Sequence, residues 1–221
     1  MEGIVLKTID YKEKSKLVYL YTPQGILSVK ALDATKTKLG FVTTLNQVEF
    51  EMTSGKLPTV TEYSLKKSFY SIYENLTKVG VLAPILDVIF HLEEGVNHSR
   101  IYVFLIQTLN ELLTTEDSYQ VLSIFLVKML AVFGIKPELK KCVRCSKTNL
   151  VDFSMLEGGA LCDSCSIYHE KNYQLLYDFQ QLYFAKNYQA LTLKLSYQAL
   201  LDEIYQYYAI HANFKLKDYY L

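Results

Sequence analysis

The segment Lys16-Leu17-Val18-Tyr19-Leu20-Tyr21-Thr22-Pro23-Gln24-Gly25-Ile26-Leu27-Ser28-Val29-Lys30-Ala31-Leu32 decides how the N-terminal part of this 221-residue chain folds. Lys16 to Thr22 and Ile26 to Leu32 are short apolar runs, rich in β-branched and aromatic residues. Such runs form strands. Between them Thr22-Pro23-Gln24-Gly25 puts proline and glycine where a tight turn uses them. The reading is a β-hairpin.

More strands lie on either side. Gly3 to Ile9 is a third apolar run. Leu45 to Met52 alternates, with Val48, Phe50 and Met52 on one face and Gln47, Glu49 and Glu51 on the other. That is the signature of a half-buried strand. Ser54-Gly55-Lys56 turns the chain into Thr59 to Leu65. Five short strands in sequence suggest a small closed barrel, because closure removes unpaired edges. An OB-fold is the expected form and an SH3-like barrel the competitor.

After Tyr70 the pattern becomes helical. Leu76 to Leu92, Ile101 to Leu113 and Tyr119 to Phe133 are apolar nearly all round, as in helices buried within a bundle. Pro84 starts or kinks the first. Thr115, Asp117 and Ser118 are candidate caps for the third, which Gly134 and Pro137 end. Tyr173 to Tyr188 and Ser196 to Ala212 read as two further helices, with Ser196 as N-cap. The expected class is α+β: a five-stranded OB-fold barrel over 1–70, then an α-helical domain over 71–221 carrying a four-cysteine zinc finger at 140–168.

All four cysteines fall in that last segment, as Cys142-x-x-Cys145 and Cys162-x-x-Cys165 with sixteen residues between the pairs. Two residues between thiolates let one turn aim both sulfurs at a single ion, and this spacing suits a closed tetrahedral zinc site. The insert has room for a hairpin, with Val151, Phe153 and Met155 alternating and Gly158-Gly159 at the turn. Structural Zn2+ is the expected cofactor, one per chain. Iron also accepts four thiolates, and a redox dithiol is a further alternative. His169 is a candidate extra ligand or donor; His91, His98 and His211 read as ordinary helical residues.

Composition bounds the function. The formal net charge is zero, so bulk charge does not make this chain a polyanion binder. Residues 1–70 nevertheless hold ten lysines against seven acidic residues, and 71–135 hold three basic against seven acidic. The chain shows no secretory signal at its start, and its longest apolar run, Tyr119 to Ile135, is interrupted by Lys128 and too short to span a bilayer. A cytoplasmic protein without structural disulfides is expected. No phosphate-binding glycine loop, dinucleotide fingerprint or nucleophile elbow occurs, and no carboxylate cluster suggests a nuclease, so no enzyme activity is expected. The nineteen tyrosines offer stacking surfaces, although core and surface filling explains most of them.

These residues add up to a resemblance. Glu2-Gly3-Ile4-Val5-Leu6-Lys7-Thr8, Tyr11, Glu13-Lys14-Ser15-Lys16 before Leu17-Val18, and Thr22-Pro23 with Gly25 resemble the opening of RecO proteins. Gly134-Ile135-Lys136-Pro137, the two Cys-x-x-Cys pairs, and Gly158-Gly159 just before Cys162 resemble their C-terminal part. The resemblance covers essentially the whole chain.

It implies an OB-fold, a helical domain and a zinc element. It further implies a bacterial, nucleoid-associated recombination mediator that binds single- and double-stranded DNA and anneals complementary strands. Such a protein works with RecR, binds the C-terminal tail of SSB, and helps load RecA onto SSB-coated single strands. One departure stands out. Where the family carries an arginine-rich loop after the third strand, residues 31–40 here offer Lys36 and Lys38, opposed by Asp33.

An OB groove tracks phosphates with cations and stacks bases on aromatics. The candidate DNA-binding residues are Lys7, Lys14, Lys16, Lys30, Lys36 and Lys38; Tyr19 and Tyr21 either stack bases or fill the barrel. The alternative function is a zinc-stabilised protein-interaction adaptor with little DNA contact of its own.

Overall fold

The computed structural model describes residues 1–33, 39–167, 171–186, 188 and 191–218. They form two compact units: Met1–Val79 with Ile89–Thr115, and Gly80–Val88 with Glu116–Leu221.

In the first unit β1 (Glu2–Tyr11), β2 (Ser15–Thr22), β3 (Gly25–Ala31), β4 (Asn46–Met52) and β5 (Val60–Ser68) form one antiparallel sheet in the order β3-β2-β1-β4-β5. The outer strands meet where Lys30 pairs with Thr59 in parallel and the Lys30 amide donates to the Pro58 carbonyl at 2.8 Å. The sheet therefore closes on itself with OB topology, and the SH3-like alternative falls. Alternation works as expected: Val5, Val18, Leu20, Val29, Val48, Phe50 and Val60 point into one apolar core. A short helix α1 (Leu39–Val42) adds Phe41 and Val42 to it. Gly25 closes the β2–β3 turn at φ +112°, a left-handed conformation, and a Cβ there would stand 3.3 Å from the His98 ring.

Helices α2 (Leu76–Phe90) and α3 (His98–Thr114) follow a single 3-10 turn, Tyr70–Glu74. Pro84 lies inside α2 rather than at its start. The structure corrects the all-round burial expected of the second helical segment. Ile101, Tyr102, Leu105, Thr108, Leu109 and Leu112 make one buried stripe on α3, while Val103 is 55% exposed. The stripe belongs to the same unit as the barrel, and its tyrosine reaches β1: the Tyr102 hydroxyl donates to Glu2 Oε1 at 2.8 Å.

The second unit holds α4 (Ser118–Met129), a β6–β7 hairpin (Leu150–Ser154 and Gly159–Cys162), α5 (Tyr173–Phe184) and α6 (Tyr197–His211). Here α4 is buried on nearly every side, as its sequence predicts. Asp117 caps it through the Gln120 amide, and Ser196 caps α6 through the Ala199 amide. Helix α4 stops at Met129 rather than Phe133. The chain there turns back so that the Ile135 amide reaches the Leu130 carbonyl at 3.0 Å, with Gly134 at φ +72°. Helix α5 stops at Phe184, where Lys128 Nζ from α4 donates to the carbonyls of Tyr183 and Ala185 at 3.1 and 2.8 Å. Among the described residues no helix is long and apolar enough to cross a membrane.

Candidate metal centre and nucleic-acid face

Each Cys-x-x-Cys segment folds as a tight turn closed by its own backbone. The Ser146 amide returns to the Cys142 carbonyl at 2.9 Å, and the Cys142 amide donates to Lys147 at 2.8 Å. In the second turn the amides of Cys165 and Ser166 both reach the Cys162 carbonyl, at 3.0 and 2.9 Å. The β6–β7 ladder carries Cys162 back beside Leu150, and Val143 donates to Ala160 at 3.0 Å, which fixes the first turn against β7.

The glycine pair has two separate jobs. Gly158 makes the turn at φ +69°. Gly159 already lies in β7, where a Cβ would come within 2.6 Å of the Glu138 carbonyl, so its role is to let two backbones approach.

The four sulfurs of Cys142, Cys145, Cys162 and Cys165 all lie within 4.8 Å of one another, and those of Cys145 and Cys162 are 3.5 Å apart. A tetrahedron with ~2.3 Å metal–sulfur bonds has edges of about 3.8 Å. The cluster therefore has the size such an ion needs, and the four cysteines could hold one. Cys142 and Cys162 are buried; Cys145 is exposed and Cys165 half-exposed. Burial pushes the Cys142 thiol up, but N–H groups of Cys162, Cys145 and Arg144 aimed at its sulfur bring it down to about 6. That cradle favours the thiolate a metal requires. Bonds with Cys145, together with burial, push the Cys165 thiol up.

Three supports around the cluster escaped the sequence reading. Asp152, 1% exposed on β6, accepts from the amides of Phe153 and Asn172 at 2.8 and 2.7 Å and from Ser166 Oγ at 2.6 Å. It ties the second cysteine turn to the start of α5. The His211 ring, expected to be an ordinary helical residue, donates from Nε2 to the Met155 carbonyl at 2.7 Å and packs 4.3 Å from Tyr207. The Tyr207 hydroxyl in turn lies 3.1 and 3.3 Å from the carbonyls of Ile135 and Gly158. The third support is Arg144, whose guanidinium is bonded to Glu157. His98 is likewise engaged, with Nδ1 3.2 Å from the Tyr21 hydroxyl. His169 lies outside the described residues.

The candidate DNA-binding lysines divide into groups. Directly opposed residues of neighbouring strands share a face. Lys7 opposes Tyr19, which opposes Ser28; Ile9 opposes Leu17, which opposes Lys30. Lys7, Tyr19 and Lys30 thus share the outer face of the β1–β2–β3 sheet, with Ile9 39% exposed among them. Lys16 has the opposite parity, in line with Val18 of the core, and pairs with Asp10 at 2.8 Å. Lys14 is exposed in the β1–β2 turn. Lys36 and Lys38 lie outside the described residues. Neither tyrosine fills the barrel core: Tyr19 is half-buried on the outer face, and Tyr21 is buried against His98 and Tyr102 of α3.

The family model described as Recombination protein O N terminal matches residues 1–69, and that described as Recombination protein O C terminal matches 73–215. Among curated relatives, a DNA repair protein RecO of Halalkalibacterium halodurans is 34% identical over 172 residues, which is 74% of this chain and 67% of that protein. The DNA repair protein RecO of Alkaliphilus metalliredigens is 30% identical over 74% of this chain and 70% of its own length. That of Bacillus pumilus is 33% identical over 74% and 67%.

Proposed function

Because the chain belongs to the Recombination protein O family, we propose that it is a recombination mediator that binds single- and double-stranded DNA and anneals complementary strands without chemistry of its own. The observation that carries this reading is the outer face of the barrel. Lys7 and Lys30 flank Tyr19 in adjoining cross-strand rows there. Cations track phosphates and an aromatic face receives a base, which holds a strand by its backbone while leaving other bases to pair. Residues 1–70 act as the DNA-binding domain, with exposed Lys14, and Lys36 and Lys38 of the segment after β3, as further candidate cations, whereas Lys16 is engaged by Asp10. The protein works in the bacterial cytoplasm at the nucleoid.

The ion we assign to the cysteine cluster is one structural Zn2+. Four thiolates complete its coordination and leave no open position for a reaction. Its contribution is to hold the two turns together, and the rest of the segment is ordered by Asp152, Tyr207 and His211.

The partners follow from the family: RecR, the C-terminal tail of SSB, and RecA indirectly. In the second unit an open groove of about 790 Å3 is lined by Leu150, Leu176, Phe184 and Leu191 together with Asn149, Gln180 and Gln181, with Lys140 at its wall. We assign it a short acidic tail ending in an aromatic residue, for which it offers amide groups, a few apolar side chains and a cation.

A strand-annealing assay with complementary oligonucleotides, without ATP, tests the reading. Annealing above the spontaneous rate with both strands intact supports it, and degradation of the strands overturns it. A protein-interaction adaptor is the second reading. It is favoured by the zero net charge and by the ion pairs that occupy Lys16 and Arg144. A gel shift that appears only when RecR is added selects it.

A further inference from the structure

Both cysteine turns are closed by their own backbone, but only the two buried cysteines are also held against the β7 ladder. Cys162 ends β7, and Cys142 lies beside it through the ladder that joins Val143 to Ala160. Cys145 and Cys165 lie at the far ends of their turns and face solvent. One side chain spans all the pieces on that side. Arg144, inside the first turn, donates from Nε to Glu157 Oε2 at 2.7 Å and from Nη2 to Oε1 at 2.5 Å, and from Nη1 to the Cys165 carbonyl at 2.8 Å. Glu157 belongs to the β6–β7 turn, where its amide and carboxylate also meet Ser154 Oγ. First turn, hairpin tip and second turn thus converge on one guanidinium.

We propose that Arg144, held by Glu157, is the positioning residue that latches the solvent-facing half of the four-cysteine centre and governs how long it retains its metal. The inference rests on the zinc reading above. For a metal to leave, one of the outer thiolates must swing away first. The guanidinium holds the backbone of both turns together, so an outer thiolate that rotates off the metal stays poised to return to it. The geometry is specific to arginine: a planar fork satisfies a carboxylate with two parallel bonds and keeps a third donor for the carbonyl, whereas an ammonium is a point charge.

The test uses the full chain with Arg144→Lys, Glu157→Gln and the double variant. Zinc content is measured first, then the rate of zinc release to a competing chelator, with the cobalt-substituted proteins compared by their thiolate charge-transfer band. Outer supports of metal ligands change metal affinity by about 10–100-fold. Each single variant should bind one zinc, keep the four-thiolate band and release the metal about tenfold faster or more. The double variant should be no worse than the singles, because both remove the same latch. Glu157→Gln touches only an exposed carboxylate, so it decides the matter if Arg144→Lys fails to fold. A wild-type chain without zinc overturns the metal reading and the latch with it. A wild type that holds one zinc, with variants that release it at the wild-type rate, overturns the latch alone.

Discussion

Asp152 and Ser166 are joined by a 2.6 Å hydrogen bond that links β6 to the residue immediately after the last cysteine. The same carboxylate accepts the Asn172 amide at the start of α5 and is almost wholly buried. A buried donor left without its acceptor costs about 1–3 kcal/mol. Asp152→Ala leaves the part-buried Ser166 hydroxyl and Asn172 amide without their acceptor, so urea unfolding of the zinc-loaded protein should show a loss of about 1–3 kcal/mol. Ser166→Ala removes the hydroxyl and leaves the other bonds, and should cost about 1 kcal/mol.

The Tyr102–Glu2 bond makes a pH-dependent prediction for the first unit. Burial raises the Glu2 carboxyl, but bonds from Lys66, Tyr102 and Gln47 outweigh it and hold the group below its ordinary 4.5. A carboxyl depressed by folding contributes stability that is complete above the unfolded value and fades as pH falls through the lower folded value. Tyr102→Phe should therefore cost about 1–2 kcal/mol at neutral pH, and the gap to wild type should narrow in acid, below pH 4.5. Thermal melts at a series of pH values measure it. A gap that widens in acid contradicts the assignment.

One zinc per chain, without colour, is expected from elemental analysis and absorbance, because zinc has a filled d shell. Cys162→Ser removes a buried ligand and should lower stability and yield rather than a single activity. Lowering the pH should release the metal, since protons compete for each thiolate. A brown protein containing iron would show that the donor set selects another ion.

Lys36 and Lys38 come after β3 in the sequence and are proposed as DNA contacts. Changing both to alanine should flatten the plot of log affinity against log salt by about 1–1.5 units for single strands, at about 0.7 per phosphate. All sequences should weaken alike, because phosphate contacts carry no base information. An unchanged slope would remove the pair from the DNA site.

The barrel was legible because its signal is local. A period of two and the Thr22-Pro23-Gln24-Gly25 turn fix which residues of β2 and β3 face inward. The cysteine spacing was legible for the same reason, since each turn is closed by its own backbone. Elements set by distant partners were not. Lys128 reads in sequence as a flaw in an apolar run, yet it caps α5 fifty-five and fifty-seven positions away, which ends that helix at Phe184. Asp152 reads as the polar half of an alternating strand, and is buried where Ser166 and Asn172, fourteen and twenty positions on, bond to it. Tyr21 looked like a base-stacking residue or a core residue. It is buried outside the barrel core, because α3 supplies His98 and Tyr102 to cover it, and no periodicity within β2 could announce that helix.

Whether the outer face of β1–β3 holds DNA decides the proposed function. The direct measurement is the affinity of a fluorescent single-stranded oligonucleotide across a salt series, for wild type, Lys7→Ala/Lys30→Ala and Tyr19→Ala. If about four phosphates are met, the wild-type slope is near −3, and the double lysine variant should flatten it by about 1.4 units. Tyr19→Ala should leave the slope unchanged and weaken binding by about 1–3 kcal/mol, the scale of one stacked base. Folded variants with wild-type affinity and wild-type slope would contradict the account and place the DNA site elsewhere on the chain.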